Sequence, residues 1–235
     1  MINLVTVCTE SYPLIYAEKL HTRFANLTNL DVAHFCITDR PKEIGNWAEP
    51  LFPSKMSKGW WNKLNLFDPN MPDGKILYLD LDIVVIKNFD EEILYMVNNS
   101  CSMNCVSDAV HWMGEKFSSS MMLFDSGAHY HIFDAFLRAD PSLTERPGGD
   151  QVWVGPQLSD INYIDEKYPD LKKNLKFHLS KREGNKLLLP KALHPSVKLV
   201  DCGGRPKPDE LAFLPFIKNN WHDVEVSQNT RNMSY

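Results

Sequence analysis

Lys75-Ile76-Leu77-Tyr78-Leu79-Asp80-Leu81-Asp82-Ile83-Val84-Val85-Ile86 is the stretch on which the fold turns. It reads as one long, β-prone apolar run interrupted by two acids. Along a strand, side chains at i and i+2 point to one face, so Asp80 and Asp82 are expected side by side. Two carboxylates flanked by Leu and Val repel each other and are costly to bury unless a cation neutralises them. Carboxylate oxygens suit hard cations such as Mg²⁺ and Mn²⁺, which take few protein ligands and complete their shell with phosphate oxygens and water. A solvent-facing pair at a strand end is the plain structural alternative. The apolar lead-in Ile76-Leu77-Tyr78-Leu79 places the acids at the carboxyl end of a buried strand, where open α/β sheets put their ligands.

Working outward, Ile2-Asn3-Leu4-Val5-Thr6-Val7-Cys8 reads as a strand. An amphipathic pattern follows, with Ile15, Leu20, Phe24 and Leu27 on one face, and then a second strand at 31–37. This β-α-β start favours a mostly parallel sheet covered by helices. Residues 38–58, with Pro41, Pro50 and Pro53, read as loop, and 59–67 as a short helix carrying Trp60, Trp61 and Lys63. Further strands are expected at 101–106, 119–124 and 197–200, and helices at 129–137 and after the turn Pro147-Gly148-Gly149-Asp150-Gln151. The apolar pattern from Asp209 onward predicts a helical tail over 209–235. With no repeat or low-complexity linker, the whole of 1–235 reads as a single α/β domain.

The chain has 235 residues, enough for a sizeable core, with 25 Lys+Arg against 30 Asp+Glu. A net charge of −5 advertises neither a nucleic-acid backbone nor an anionic membrane as partner. No stretch approaches the ~20 apolar residues of a membrane span, and the start reads as a strand rather than a signal peptide. Five scattered cysteines fit a reducing compartment better than a disulfide framework, so a cytoplasmic location is expected. Cys101 and Cys105, with His111 nearby, lack the two further ligands a zinc site needs.

Several pieces, taken in order, resemble glycosyltransferase family 8, the GT-A-fold family of glycogenin and the bacterial galactosyltransferases. Tyr78-Leu79-Asp80-Leu81-Asp82 looks like its D-x-D segment, and the strand ending at Val7 and Cys8 with Thr9, Glu10 and Tyr12 like its uridine-binding start. Lys63 stands where the family has a donor-contacting lysine, and Phe117-Ser118-Ser119-Ser120-Met121 resembles its sugar-facing F-N-S-G strand. Gly149-Asp150-Gln151 matches its G-D-Q turn, and Asp201-Cys202-Gly203-Gly204-Arg205-Pro206-Lys207-Pro208 its late phosphate-binding segment. The likeness spans roughly residues 2–208; each motif is weak alone, and five in order beside the D-x-D make chance a poor explanation. Asp201 replaces the family's histidine ligand, Ser118 and Ser120 its Asn and Gly, and Asp209 its Trp.

What the resemblance implies is a GT-A-like α/β fold and a retaining transferase moving a hexose from UDP-glucose or UDP-galactose to a glycan, lipid or protein acceptor. It implies Mn²⁺ (or Mg²⁺) on Asp80, Asp82 and Asp201, and a donor held by Val7, Thr9, Glu10, Tyr12, Lys63, Leu81, Ser118, Ser119, Gly204 and Lys207. Thr9 and Tyr12 would hold the base, Tyr12 by stacking, though a core-edge aromatic is as ordinary. Gly203 and Gly204 would let the backbone approach phosphate. Asp150 either faces the donor sugar or caps its helix; Gln151 either bonds the sugar or sits on a polar helix face. Trp60 and Trp61 either form an acceptor platform or anchor the core. The rivals are a nucleotidyltransferase, which would want a Gly-rich loop where Thr9-Glu10-Ser11-Tyr12 stands, and a non-catalytic nucleotide-sugar-binding protein.

Overall fold

The computed structural model describes residues 1–9, 12–110, 112–184 and 186–226. Strand β1 (Ile2–Val7) is buried along its whole length, as a central parallel strand must be. It leads into helix α1 (Leu14–Ala25), which buries Leu14, Ala17, Leu20 and Phe24 at three- and four-residue spacing. Strand β2 (Val32–Ile37) then pairs parallel to β1, and a short β3 (Glu49–Leu51) parallel to β2. The chain returns to the other side of β1 with β4 (Lys75–Leu79), again parallel.

The expected continuous strand 75–86 is broken at the acids. β4 stops at Leu79, and Asp80, Leu81 and Asp82 form a turn in which the Ile83 N–H donates to the Asp80 carbonyl at 3.0 Å. Beyond it, β5 (Ile83–Val85) joins a different sheet. Same-face geometry along one strand therefore does not bring the two acids together; the turn between two sheets does.

Helix α2 (Asp90–Val97) precedes β6 (Met103–Ser107), which pairs antiparallel with β7 (Phe117–Asp125). After helices α3 (Tyr130–Arg138) and α4 (Gly149–Val154), β8 (Ile161–Tyr163) adds to β6, and α5 (Ile164–Lys167) follows. The main sheet runs β3-β2-β1-β4-β7-β6-β8, with β7 the reversed strand. The smaller sheet sets β12 (Leu199–Asp201) between β5 and β9 (Lys172–Asn174), and β10 (Lys181–Glu183) forms a hairpin with β11 (Lys186–Leu188). Of the expected tail, 208–211, α6 (Pro215–Ile217) and 218–222 are helical, while 227–235 lies outside the described residues. The stretch 38–58, expected as loop, contains β3.

Alternation along the strands feeds two apolar layers. Val5, Val7, Ile76, Tyr78, Met122 and Phe124 face the 3₁₀ segment Gly59–Phe67 and α3. Leu4, Leu77, Leu79, Met121 and Leu123 pack instead with Phe24, Phe89, Ile93 and Met96 of the helical side. The order β2-β1-β4 makes the β1/β4 junction the point where successive connections leave in opposite directions. Open α/β sheets bind ligands at the carboxyl ends of such a junction, and Thr9 and Asp80 lie there.

Candidate functional site

A cavity of about 680 Å³ opens at this junction. Val7 and Thr9 line it from the end of β1; Asp80, Leu81 and Asp82 line it from the turn after β4. Tyr12, Trp60, Lys63, Tyr78, Gly203, Gly204, Arg205, Lys207 and Asp209 also line it. Glu10 lies outside the described residues.

Asp80 and Asp82 each have an ammonium partner. Asp80 stays on the Tyr78 side of the backbone, where the Tyr78 hydroxyl donates to Oδ1 at 2.5 Å. The Lys63 ammonium sits 2.8 Å from that oxygen and 3.1 Å from Oδ2, and also donates to the Ser119 hydroxyl at 3.2 Å. Asp82 accepts from Lys207 at 2.6 Å, and Lys207 donates to the Tyr12 hydroxyl at 2.7 Å. Burial, with Asp80 and Asp201 nearby, pushes the Asp82 carboxyl above its ordinary range, and Lys207 only partly offsets this. Burial works against the charge on Lys207, but Asp82 outweighs it and holds the ammonium above its usual value. The same balance, with Asp150 and Asp80 as the anions, raises Lys63.

Asp150, in the first turn of α4, is buried with its carboxylate 3.8 Å from the Lys63 ammonium. Burial raises its pKa against the opposing pull of Lys63 and Ser119. Gln151 turns elsewhere and donates to Asp108 at 2.8 Å. Ser118 and Ser119 point to opposite faces of β7. Ser119 reaches Lys63, whereas Ser118 lies by Ser120 and lines a second, polar cavity of about 340 Å³.

Asp201 also lines that second cavity. Its Oδ2 accepts from the buried Lys172 ammonium at 2.5 Å and its Oδ1 from the Gly203 N–H at 2.7 Å. Burial alone would raise the Asp201 carboxyl; Lys172 and the Gly203 N–H outweigh it and hold it below the ordinary range. Among the described residues, no group of three or more His, Cys, Asp or Glu side chains stands in position to hold a metal ion. Two carboxylates do fit one, since the Asp80 and Asp82 side chains present hard oxygen donors to the same cavity.

The adjacent tryptophans divide. Trp61 is 2% exposed and belongs to the core, while Trp60 is 60% exposed and lines the large cavity. Its indole lies on the Gly149 backbone: a Cβ there would sit 2.6 Å from Nε1.

Three contributors carry no sequence signal of their own. Asn62 is buried; it donates to the Thr9 hydroxyl at 3.0 Å and accepts from the Ser57 N–H at 2.7 Å, which ties the two cavity loops together. Arg40 donates to the Thr9 and Tyr12 carbonyls at 3.2 and 2.7 Å and so anchors those two residues. Lys172 meets Asp201 across 29 residues of chain, a separation no motif spans.

No family model and no curated protein sequence matches the chain. Among solved structures it is similar to the galactosyltransferase LgtC in complex with donor and acceptor sugar analogs, at a TM-score of 0.62 and 12% identity over 99% of this chain and 96% of that one. The glycosyltransferase GlyE of Streptococcus pneumoniae TIGR4 gives 0.64 and 12%, over 98% of this chain and 62% of its own. The bifunctional glycosyltransferase WbbM gives 0.61 and 11%, over 99% and 51%. At these identities the likeness is one of fold, and the α/β GT-A-like architecture expected from the sequence is the one observed.

Proposed function

We propose that the chain is a metal-dependent glycosyltransferase that moves a hexose, glucose or galactose, from a UDP-sugar to an acceptor, with retention at the anomeric carbon. The observation that carries this is the pairing of Asp80 and Asp82 with Lys63 and Lys207 on one cavity at the β1/β4 junction. Asp80, Asp82, Asp150 and Asp201 are matched by Lys63, Lys172, Lys176 and Lys207, so this cluster carries no spare positive charge. A diphosphate brings about two negative charges at neutral pH and needs a cation to enter. When bound at Asp80 and Asp82, Mn²⁺ or Mg²⁺ would supply electrostatic stabilisation of the leaving diphosphate.

The chain's own residues do the rest. Thr9 and Tyr12, held by Asn62 and Arg40, present a pre-formed edge for the nucleoside. Lys207 and Lys63 meet the negative charge that develops on the leaving group, and they are already oriented by Asp82 and Asp80. Asp150, buried 3.8 Å from the Lys63 ammonium and outside the lining of the large cavity, would act on the donor through Lys63. Trp60 supplies an apolar wall. The five cysteines are free thiols, which supports a cytoplasmic setting, and no helix among the described residues is long and apolar enough to cross a membrane.

Thermal unfolding with UDP tests this reading. UDP raises Tm when Mn²⁺ or Mg²⁺ is present and not in EDTA. A shift of equal size without the cation would remove the metal from the site.

A further inference from the structure

Asp201 is the third acid near the proposed cation, yet its geometry sets it apart from the other two. Asp80 and Asp82 line the large cavity, whereas Asp201 lines the second one. Like Asp80 and Asp82 it is paired, with Lys172 on Oδ2 at 2.5 Å and the Gly203 N–H on Oδ1 at 2.7 Å, but Lys63 and Lys207 line the large cavity, where a diphosphate can draw them off their acids, and Lys172 does not. Lys172 is itself anchored by the Ser120 hydroxyl at 2.6 Å. The side chains of the pair are only 7% and 10% exposed. Position 203 is shaped for this contact, because a Cβ there would lie 2.9 Å from Asp201 Oδ1. A dication bound to Oδ2 would sit against a buried ammonium with little water to screen the repulsion.

We infer that Lys172 keeps Asp201 out of the cation's shell, so that this chain's cation site is built from two carboxylates, Asp80 and Asp82, with Asp201 and Lys172 forming a net-neutral wall behind it. The inference rests on the proposed metal-dependent donor site. Lys207, the cation of this loop that reaches the large cavity, is held by Asp82 and Tyr12 and by neither member of that wall.

The test is Mn²⁺ binding to the full chain in the presence of UDP, read from the room-temperature paramagnetic resonance signal of free Mn²⁺. Removing both charges with Lys172→Met plus Asp201→Leu replaces a buried ion pair by an apolar one, an exchange that folded proteins commonly tolerate. This double variant keeps Mn²⁺ affinity within about twofold of the unaltered chain, because no ligand has been lost. Asp82→Asn weakens it by about tenfold or more. Lys172→Met alone frees an acid beside the site and tightens Mn²⁺ binding, a second readout should the double variant fold poorly. A double variant that loses Mn²⁺ as severely as Asp82→Asn, or a Lys172→Met chain that binds Mn²⁺ more weakly, overturns the inference while the metal-dependent reading stands. An unaltered chain that takes up no Mn²⁺ with UDP overturns both.

Discussion

Replacing Lys63 by Met removes one cation from between two carboxylates. In the folded chain its ammonium lies 2.8 Å from Asp80 Oδ1 and 3.8 Å from Asp150 Oδ2. Breaking a buried pair by deleting one partner typically costs about 3–5 kcal/mol, since the other charge is left without compensation. The lower end applies. Asp80 is 22% exposed, keeps the Tyr78 hydroxyl as donor, and so retains part of its solvation. About 3 kcal/mol corresponds to a fall in Tm of about 6–12 °C for a chain of this size. The loss also depends on pH. Burial already raises the Asp150 pKa above the 3.8 of a free Asp, and Lys63 is the main group opposing this. Without Lys63 it rises further. A carboxyl whose folded pKa exceeds its unfolded value contributes stability below the unfolded value, and that stability is lost as pH climbs through the folded one. The deficit of Lys63→Met is therefore larger at about pH 7.5 than at about pH 5. Urea unfolding in EDTA, followed by tryptophan fluorescence at both pH values, measures it. A deficit below about 1 kcal/mol, the scale of an exposed pair, or an equal deficit at the two pH values, would refute the argument.

Other perturbations have equally definite outcomes. Gly149 has a φ of +67°, and a Cβ there meets the Trp60 indole; Gly149→Ala lowers unfolding free energy by about 1–2 kcal/mol and swings the exposed indole out of the cavity. Denaturation together with Trp60 fluorescence would reveal an unstrained turn if neither changes. His21 is buried, shares one hydrogen bond with the Thr6 hydroxyl at 2.9 Å and another with His34 Nδ1 at 2.9 Å. Burial, then His34, holds its pKa well below 6.5, so stability is full above about pH 6.5 and is lost as pH falls below it. The slope from this group is at most about 1.4 kcal/mol per pH unit. His21→Gln flattens the acid limb of Tm against pH, and parallel curves for the two chains would remove this pair as the cause.

The apolar lead-in to Asp80 and the β-α-β start were enough to place an acid pair at the carboxyl end of a sheet strand. The geometry of that pair was not legible. Whether the run 75–86 stays in one sheet depends on β5 finding β12, a partner far along the chain that period-two alternation cannot reveal. The same holds for β8, β9, β10 and β11, each three residues long and too short for a periodic signal. Lys172 belongs to no motif; the register of β9 against β12 pairs it with Leu199 and leaves Asp201 two residues further along the neighbouring strand, within reach of its ammonium. Trp60 and Trp61 are indistinguishable as letters and separate only when the 3₁₀ segment packs. Ser118 and Ser119 are adjacent on a strand, and adjacency there means opposite faces, so the expectation that both meet one sugar was at odds with the strand assigned to them.

The most direct measurement is release of UDP from a panel of nucleotide sugars incubated with the purified chain and Mn²⁺. The expected result is release from UDP-glucose or UDP-galactose, dependent on the divalent cation, and its loss in Asp82→Ala with the circular-dichroism spectrum unchanged. Release that persists in Asp82→Ala, or a folded chain that neither binds nor cleaves any nucleotide sugar, would contradict it.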